Sequence, residues 1–545
     1  MSNPLEMLSK IKHRIPLLVI LCFLVVCVSA ETLFQRSSNP VAKRKSAKKI
    51  ELKKSRLLLH RANFQPMVLL DSVILYHEGA YMYSDSAYLD DVNNTFEAFG
   101  NVRILQGDSI TLVGDYMHYD GVFRLAKIRR NVVLEDKRMK MTLFTDSLNF
   151  DRIMNIAYYF DGGMVVDSLN ELTSTWGQYE PALKLATFRD SVKLVNPQFV
   201  IHSDTLEYST QNRVATILGP SVVVSDSGTI YSNRGWYNTL TQESMLLNQS
   251  LVVNKQKTQF LTGDSIFFNR AKSKGEVYGH MILKDTLRRV TLKGNRGHYD
   301  GAIRFAWASD SAQAIDYSQG DTLFLHADSL QMSSDGNFNK MKAFRRARFF
   351  RADVQGVADS LQYSTRDSIM HLFRDAVVWH DKDQIVGDTI HIFMKDSVVD
   401  RMVVKQDAYI MEQIDSTKFN QLKGRTITAY MANKQLKHVF VEGNAESIFY
   451  PQEKDGSFIG LNKTESGFLS IDFENKKIKK LKLWPQSNAS TTPLPELKPE
   501  LMRLKGCVWL DYLRPLNKLD IFRNVIRKPT DITPKRSSRF TTDGE

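Results

Sequence analysis

A short phrase recurs along this chain about every 30 residues: an Asp or Asn, a Ser or Thr, then apolar and aromatic residues at alternate positions. Clear copies are Asp85-Ser86-Ala87-Tyr88-Leu89, Asp146-Ser147-Leu148-Asn149-Phe150, Asp204-Thr205-Leu206-Glu207-Tyr208, Asp264-Ser265-Ile266-Phe267-Phe268 and Asp359-Ser360-Leu361-Gln362-Tyr363. Successive starts lie 29 to 33 residues apart until a last, degenerate copy at Arg425. Between them runs a second phrase, a turn followed by an apolar residue, as in Gly100-Asn101-Val102, Arg130-Asn131-Val132, Tyr278-Gly279-His280-Met281 and Gly443-Asn444-Ala445. Each repeat is thus at least two strands with a turn at each end. A fixed period of this length predicts a one-dimensional stack of β units and not a globule built around a pocket. The expected class is all-β, an elongated repetitive β-solenoid of about twelve repeats of ~30 residues.

At 545 residues the chain exceeds one ordinary globular core, yet residues 65–480 contain no stretch that reads as a linker. A solenoid resolves this, because each unit packs only on its neighbours. The formal charge of +13 is concentrated at the two ends. Residues 31–61 hold ten basic and two acidic residues, and residues 476–545 sixteen and seven. The repeats are left mildly acidic, a poor match for a phosphate backbone, which argues against nucleic acid as a partner.

Residues 1–30 read as an export signal: basic residues up to Arg14, an apolar run from Ile15 to Val28, and small residues at Ser29 and Ala30. A retained N-terminal anchor is the alternative. Residues 31–64 read as a basic, solvated leader, with attraction to an anionic membrane as the alternative. Residues 481–545 read as a Pro-containing basic C-terminal segment. Removal of the signal takes Cys22 and Cys27 with it and leaves Cys507, so no internal disulfide is expected.

Side chains alternate along a strand, so the third and fifth positions of the phrase share a face. They supply the candidate residues for a continuous apolar stripe: Tyr119, Leu148, Phe150, Leu206, Tyr208, Tyr237, Ile266, Phe268, Tyr299, Leu361 and Tyr363. Where Gly stands third, at 177, 235 and 297, an aromatic stands fifth, which suggests that the ring fills the space of the missing side chain. A closed solenoid fills its lumen with such residues, whereas an incompletely closed one exposes them as a groove able to shelter hydrocarbon chains. The repeated Asp reads as structural, bonding to local backbone where a strand begins and forming a ladder at the sheet edge. Zinc, phosphate-loop and nucleophile-elbow motifs are absent, so no catalytic residue, metal or cofactor is expected.

With Gly100-Asn101-Val102, Gly107-Asp108-Ser109-Ile110, Gly114-Asp115-Tyr116 and Gly263-Asp264-Ser265-Ile266-Phe267-Phe268, the repeats resemble the OstA-like proteins, the group that includes the periplasmic lipopolysaccharide-transport jellyrolls. The resemblance spans roughly residues 65–450. It implies an open β-jellyroll that shields acyl chains without covalent chemistry, carries lipopolysaccharide or a related glycolipid, and joins partner jellyrolls through terminal strand edges. It also implies a place in the periplasm, associated with a membrane at one or both ends. An exported structural or adhesive solenoid with a closed core and no lipid is the other reading of the same residues.

Overall fold

The computed structural model describes residues 48–528, apart from residues 62–63, 107–109, 139, 319–320, 336–337, 396–397, 433–434, 454 and 476. The signal and most of the leader therefore lie outside the described residues. The described residues form 36 strands, paired antiparallel with their neighbours. It forms two compact units: residues up to 107 together with 116–126, and residues 108–115 together with everything from 127 onward.

Long strands run back and forth in both units. Phe64–His77 pairs with Ala80–Asp90 in the first. In the second, Glu243–Asn254, Gln259–Asn269, Lys274–Asp285 and Val290–Asp300 follow one another in register. What shapes them is a corner halfway along alternate strands, where two consecutive residues adopt the left-handed conformation. The φ values are 64° and 61° at Asp71 and Ser72, 60° and 56° at Asn248 and Gln249, 72° and 46° at Gly279 and His280, and 61° and 54° at Arg345 and Arg346. Two residues on one strand then face one on the next, a bulge that bends the strand and interrupts the ladder.

The single facing residue is the Asp of the recurrent phrase. Asp85 faces Asp71 and Ser72, Asp264 faces Asn248 and Gln249, and Asp359 faces Arg345 and Arg346. Such carboxylates also hold the following corner: Asn101 Nδ2 donates to Asp85 at 2.8 Å, Arg346 Nε to Asp328 at 2.8 Å, and His280 Nδ1 lies 2.7 Å from Asp264. This corrects the expectation that the Asp begins a strand at the sheet edge. It sits in mid-strand and stabilises backbone conformations that L-residues avoid. At Gly100, with φ +72°, an added Cβ would stand 2.5 Å from Asp85 Oδ2, so conformation and space both select glycine.

The corners divide the long strands into two arms, and shorter strands lie on one arm alone. Arm I leads to turns such as those at residues 226–227 and 286–289, and arm II to turns such as those at 210–213 and 270–273. In the second unit the arm II turns stack by backbone bonds, Thr239 N to Arg213 O, Arg270 N to Gln242 O and Gly301 N to Ser273 O, at 2.8–3.0 Å. They form one column.

The ladder extends beyond the limits expected from composition. Strands Glu51–Lys54 and Leu57–Arg61 pair with Phe64–His77, so residues assigned to the leader are β structure. At the other end, Lys477–Trp484 and Asn488–Pro493 close the second unit on arm II and arm I respectively. The chain then turns back and crosses the outer face of arm I as an extended strap with short 3-10 turns. Leu504, Cys507, Leu510 and Leu513 are buried against Trp379, Val386, Tyr409 and Met411. Polar side chains within the sheet bind the strap backbone: Gln421 Nε2 donates to Met502 O at 2.7 Å, and Arg348 Nη2 to Leu513 O at 3.0 Å.

Candidate functional site

The inner face joins the predicted stripe from arm II to residues of arm I that the stripe did not include. Next to the corner, Leu148, Leu206, Ile266 and Leu361 are buried at 3% exposure or less. Nearer the turns, Tyr208, Tyr237, Phe268, Tyr299 and Tyr363 are half-buried. Tyr119 and Phe150 are buried. The interior of the second unit is therefore graded, with a dry crease along the corners and a half-exposed apolar margin toward the turns. Leu261, Leu283, Met332, Met341 and Met370 join Tyr299 and Tyr363 in that margin. Methionines suit a margin that packs against irregular partners, because the unbranched thioether adapts its shape.

The expected sharing of space between Gly and the aromatic two residues on is not found. A Cβ at Gly177 would meet the ring of Tyr159 from the neighbouring strand, one at Gly297 would meet the Met281 sulfur, and one at Gly235 the Met245 carbonyl. Close packing from the adjacent strand, not from within the phrase, selects these glycines.

Polar side chains bridge the side of the interior away from the corners. In the first unit Arg124 on an arm II turn meets Glu78 on an arm I turn at 2.8 Å. In the second, Arg213 meets Asp167 at 3.7 Å, Arg270 meets Asp226 at 2.5 Å, Gln242 Nε2 donates to Gln198 Oε1 at 3.1 Å, and Arg288 Nε to Asn339 Oδ1 at 3.1 Å. Burial, and then the charge of Asp136, push the Tyr179 hydroxyl up to about 12 at the same seam. An arm I partner thus reaches an arm II partner 44 residues further on in two of these links. Partly exposed ion pairs contribute about 0–1 kcal/mol each, so among the described residues the seam is crossed by weak side-chain links. Strand periodicity carries no sign of it. The nearest signal in the sequence is the basic residue closing several arm II turns, as at Arg124, Lys184, Arg213 and Arg304.

A cavity of about 520 Å³ opens at this seam, lined by Gln198, Phe199, Val224, Asp226, Gln242 and Arg270 among others. Phe199, one of the lining residues, is buried and meets the Tyr237 ring edge-on, with centroids 4.8 Å apart. Two titratable clusters lie elsewhere. Burial, with Glu412 and Asp381 nearby, pushes the Asp383 carboxyl up to about 7. His371 and His391 lie 2.7 Å apart between their Nδ1 atoms, and burial followed by the His371 charge lowers the His391 pKa. Among the described residues no group of three His, Cys, Asp or Glu is placed to hold a metal.

Residues 47–204 match the family model described as OstA-like protein, and residues 314–398 match the one described as LptA/(LptD N-terminal domain) LPS transport protein. No curated protein matches the sequence. Among solved structures the chain is similar to LptH of Pseudomonas aeruginosa, the LptA-homologous periplasmic component of the conserved lipopolysaccharide transport device. Identity is 14%, the alignment covers 26% of this chain and 95% of that one, and the TM-score is 0.20.

Proposed function

Because this is an OstA/LptA-like protein by its matches at residues 47–204 and 314–398, we propose that it carries lipopolysaccharide or a related glycolipid in the periplasm, shielding acyl chains against its inner face. Proteins of this family act on lipid without covalent chemistry. The observation that carries the reading is the half-buried apolar margin of Phe268, Tyr299, Met332, Met341, Tyr363 and Met370 beside a fully buried crease. Exposing an acyl chain costs about 0.8 kcal/mol per CH₂, so a margin continuous over successive strands keeps each step of a passing chain small.

Bridging to partner jellyrolls is part of the same reading, and the two terminal edges differ in fitness for it. Strand Leu57–Arg61 presents Leu57, Leu58 and Leu59 at 39–47% exposure, an apolar edge suited to β-augmentation. Strand Lys477–Trp484 carries Lys477, Lys479, Lys480 and Lys482, a composition that opposes pairing with another strand. We assign partner docking to the N-terminal edge, with membrane association through the partners.

The polar links across the seam favour a second reading, a structural solenoid with a dry core. Lipid mass spectrometry of protein purified without detergent from its native host separates the two. Stoichiometric glycolipid supports carriage, and lipid-free protein supports the structural reading.

A further inference from the structure

The seam cavity has chemistry that shielding acyl chains does not use. Arg270 points its guanidinium into it, with Nη2 on Asp226 Oδ1 at 2.5 Å and Nη1 on Gln198 O at 3.3 Å. The two partners are unequal: the Arg270 side chain is 21% exposed, whereas that of Asp226 is 77% exposed. The cation is therefore fixed by its surroundings, and its counter-ion is a solvent-screened carboxylate that another anion can displace. Gln198 and Gln242 use one amide bond on each other and keep further donors and acceptors for hydroxyl groups. Phe199 lines the cavity beside them and packs edge-on against Tyr237. Arg270 also belongs to the arm II column that carries Lys184, Arg213 and Arg304, a cationic lip that attracts anions toward the seam.

We propose that this cavity binds the phosphorylated, hydroxyl-bearing headgroup of an amphiphile, with Arg270 on the phosphate, Gln198 and Gln242 on sugar-type hydroxyls, and the acyl chains passing over Phe199 toward the interior. This rests on the carrier reading and goes beyond it by naming the headgroup chemistry and the residue that selects it. A planar guanidinium suits phosphate because two parallel N–H donors match two oxygens, and replacing Asp226 by phosphate keeps the cation paired throughout.

The test measures binding of a fluorescent acylated diglucosamine bisphosphate to the full chain, beside the same probe after phosphatase treatment. A charge-assisted contact of this kind predicts about tenfold tighter binding of the phosphorylated probe, a preference that Arg270→Gln abolishes. Asp226→Asn, at an exposed position, removes the competing carboxylate and tightens binding of the phosphorylated probe by about threefold. Millimolar inorganic phosphate leaves probe binding unchanged when headgroup and chains act together. Displacement by phosphate alone assigns a free-anion site and overturns the proposal. Equal binding of both probes by wild type and Arg270→Gln also overturns it while leaving the carrier reading intact. Failure of the wild type to bind either probe overturns both.

Discussion

The Tyr119 hydroxyl lies 2.8 Å from His77 Nδ1, a buried link that ties the turn end of arm I to the turn end of arm II in the first unit. His77 Nε2 faces the Lys48 carbonyl oxygen at 2.9 Å. A carbonyl only accepts, so Nε2 carries the proton and Nδ1 accepts from Tyr119. Asn94 holds the same segment, accepting from Ile50 N at 2.8 Å and donating to Lys48 O at 3.2 Å. Tyr119 shares the phase of the stripe, but its hydroxyl makes it a tie between arms.

Tyr119→Phe keeps the ring and removes the buried bond to His77 Nδ1, at a cost of about 0.5–1.5 kcal/mol. Urea unfolding should show a lower midpoint for the transition that includes the first unit. An unchanged midpoint would contradict the pairing.

Cys507 reports on the strap. It is 6% exposed, and burial pushes its thiol up to about 12, so at pH 8 almost no thiolate exists to react. The strap is held over it by Gln384, which donates to Val508 O at 2.8 Å and accepts from Leu510 N at 2.6 Å. Gln384→Ala breaks both bonds and should raise the rate of maleimide labelling at Cys507 by at least about tenfold. Equal rates in variant and wild type would show that the strap does not depend on this residue.

The elements differ in how far the sequence discloses them. Alternation in Asp264-Ser265-Ile266-Phe267-Phe268 predicts Ile266 and Phe268 inward; Ile266 is buried in the core, and Phe268 is half-buried. The corner was hidden because its left-handed residues include Arg345, Arg346, Gln406 and Asp407, and not only the glycines that advertise positive φ. The seam joins residues such as Gln198 and Gln242, 44 positions apart on different arms, and no local pattern records such a pairing. The strap did leave a trace: Leu504, Cys507, Leu510 and Leu513 recur every third residue, the spacing of an extended three-residue ribbon with one buried side.

Asp383 sets a pH dependence. Its carboxyl is raised to about 7 in the folded chain from the ordinary value of 3.8, first by burial and then by Glu412 and Asp381. Between those values the folded state binds more protons than the unfolded one, so stability falls as pH rises from about 4 to 7 and is level above. Asp383→Asn should match wild type at pH 4 and exceed it in thermal midpoint at pH 8. The same difference at both pH values would remove Asp383 as the cause.

Gly279 tests the corner itself. Its φ is +72°, and an added Cβ would collide with the Asp264 carboxylate. Gly279→Ala should destabilise by about 1–3 kcal/mol, seen as a lower urea midpoint, and Asp264→Ala in the same chain should recover part of the loss by removing the collision. Full additivity of the two changes would show that Gly279 and Asp264 do not share this space.

The central claim, that the inner face carries acyl chains, is tested most directly by a photocrosslinking amino acid placed at Tyr363 or Phe268 and, as the outward control, at Gln362 or Glu207. After irradiation in the native host, Tyr363 and Phe268 should yield adducts of glycolipid mass, and Gln362 and Glu207 none. Equal labelling of inward and outward positions, or labelling of neither, would contradict a lipid-carrying interior.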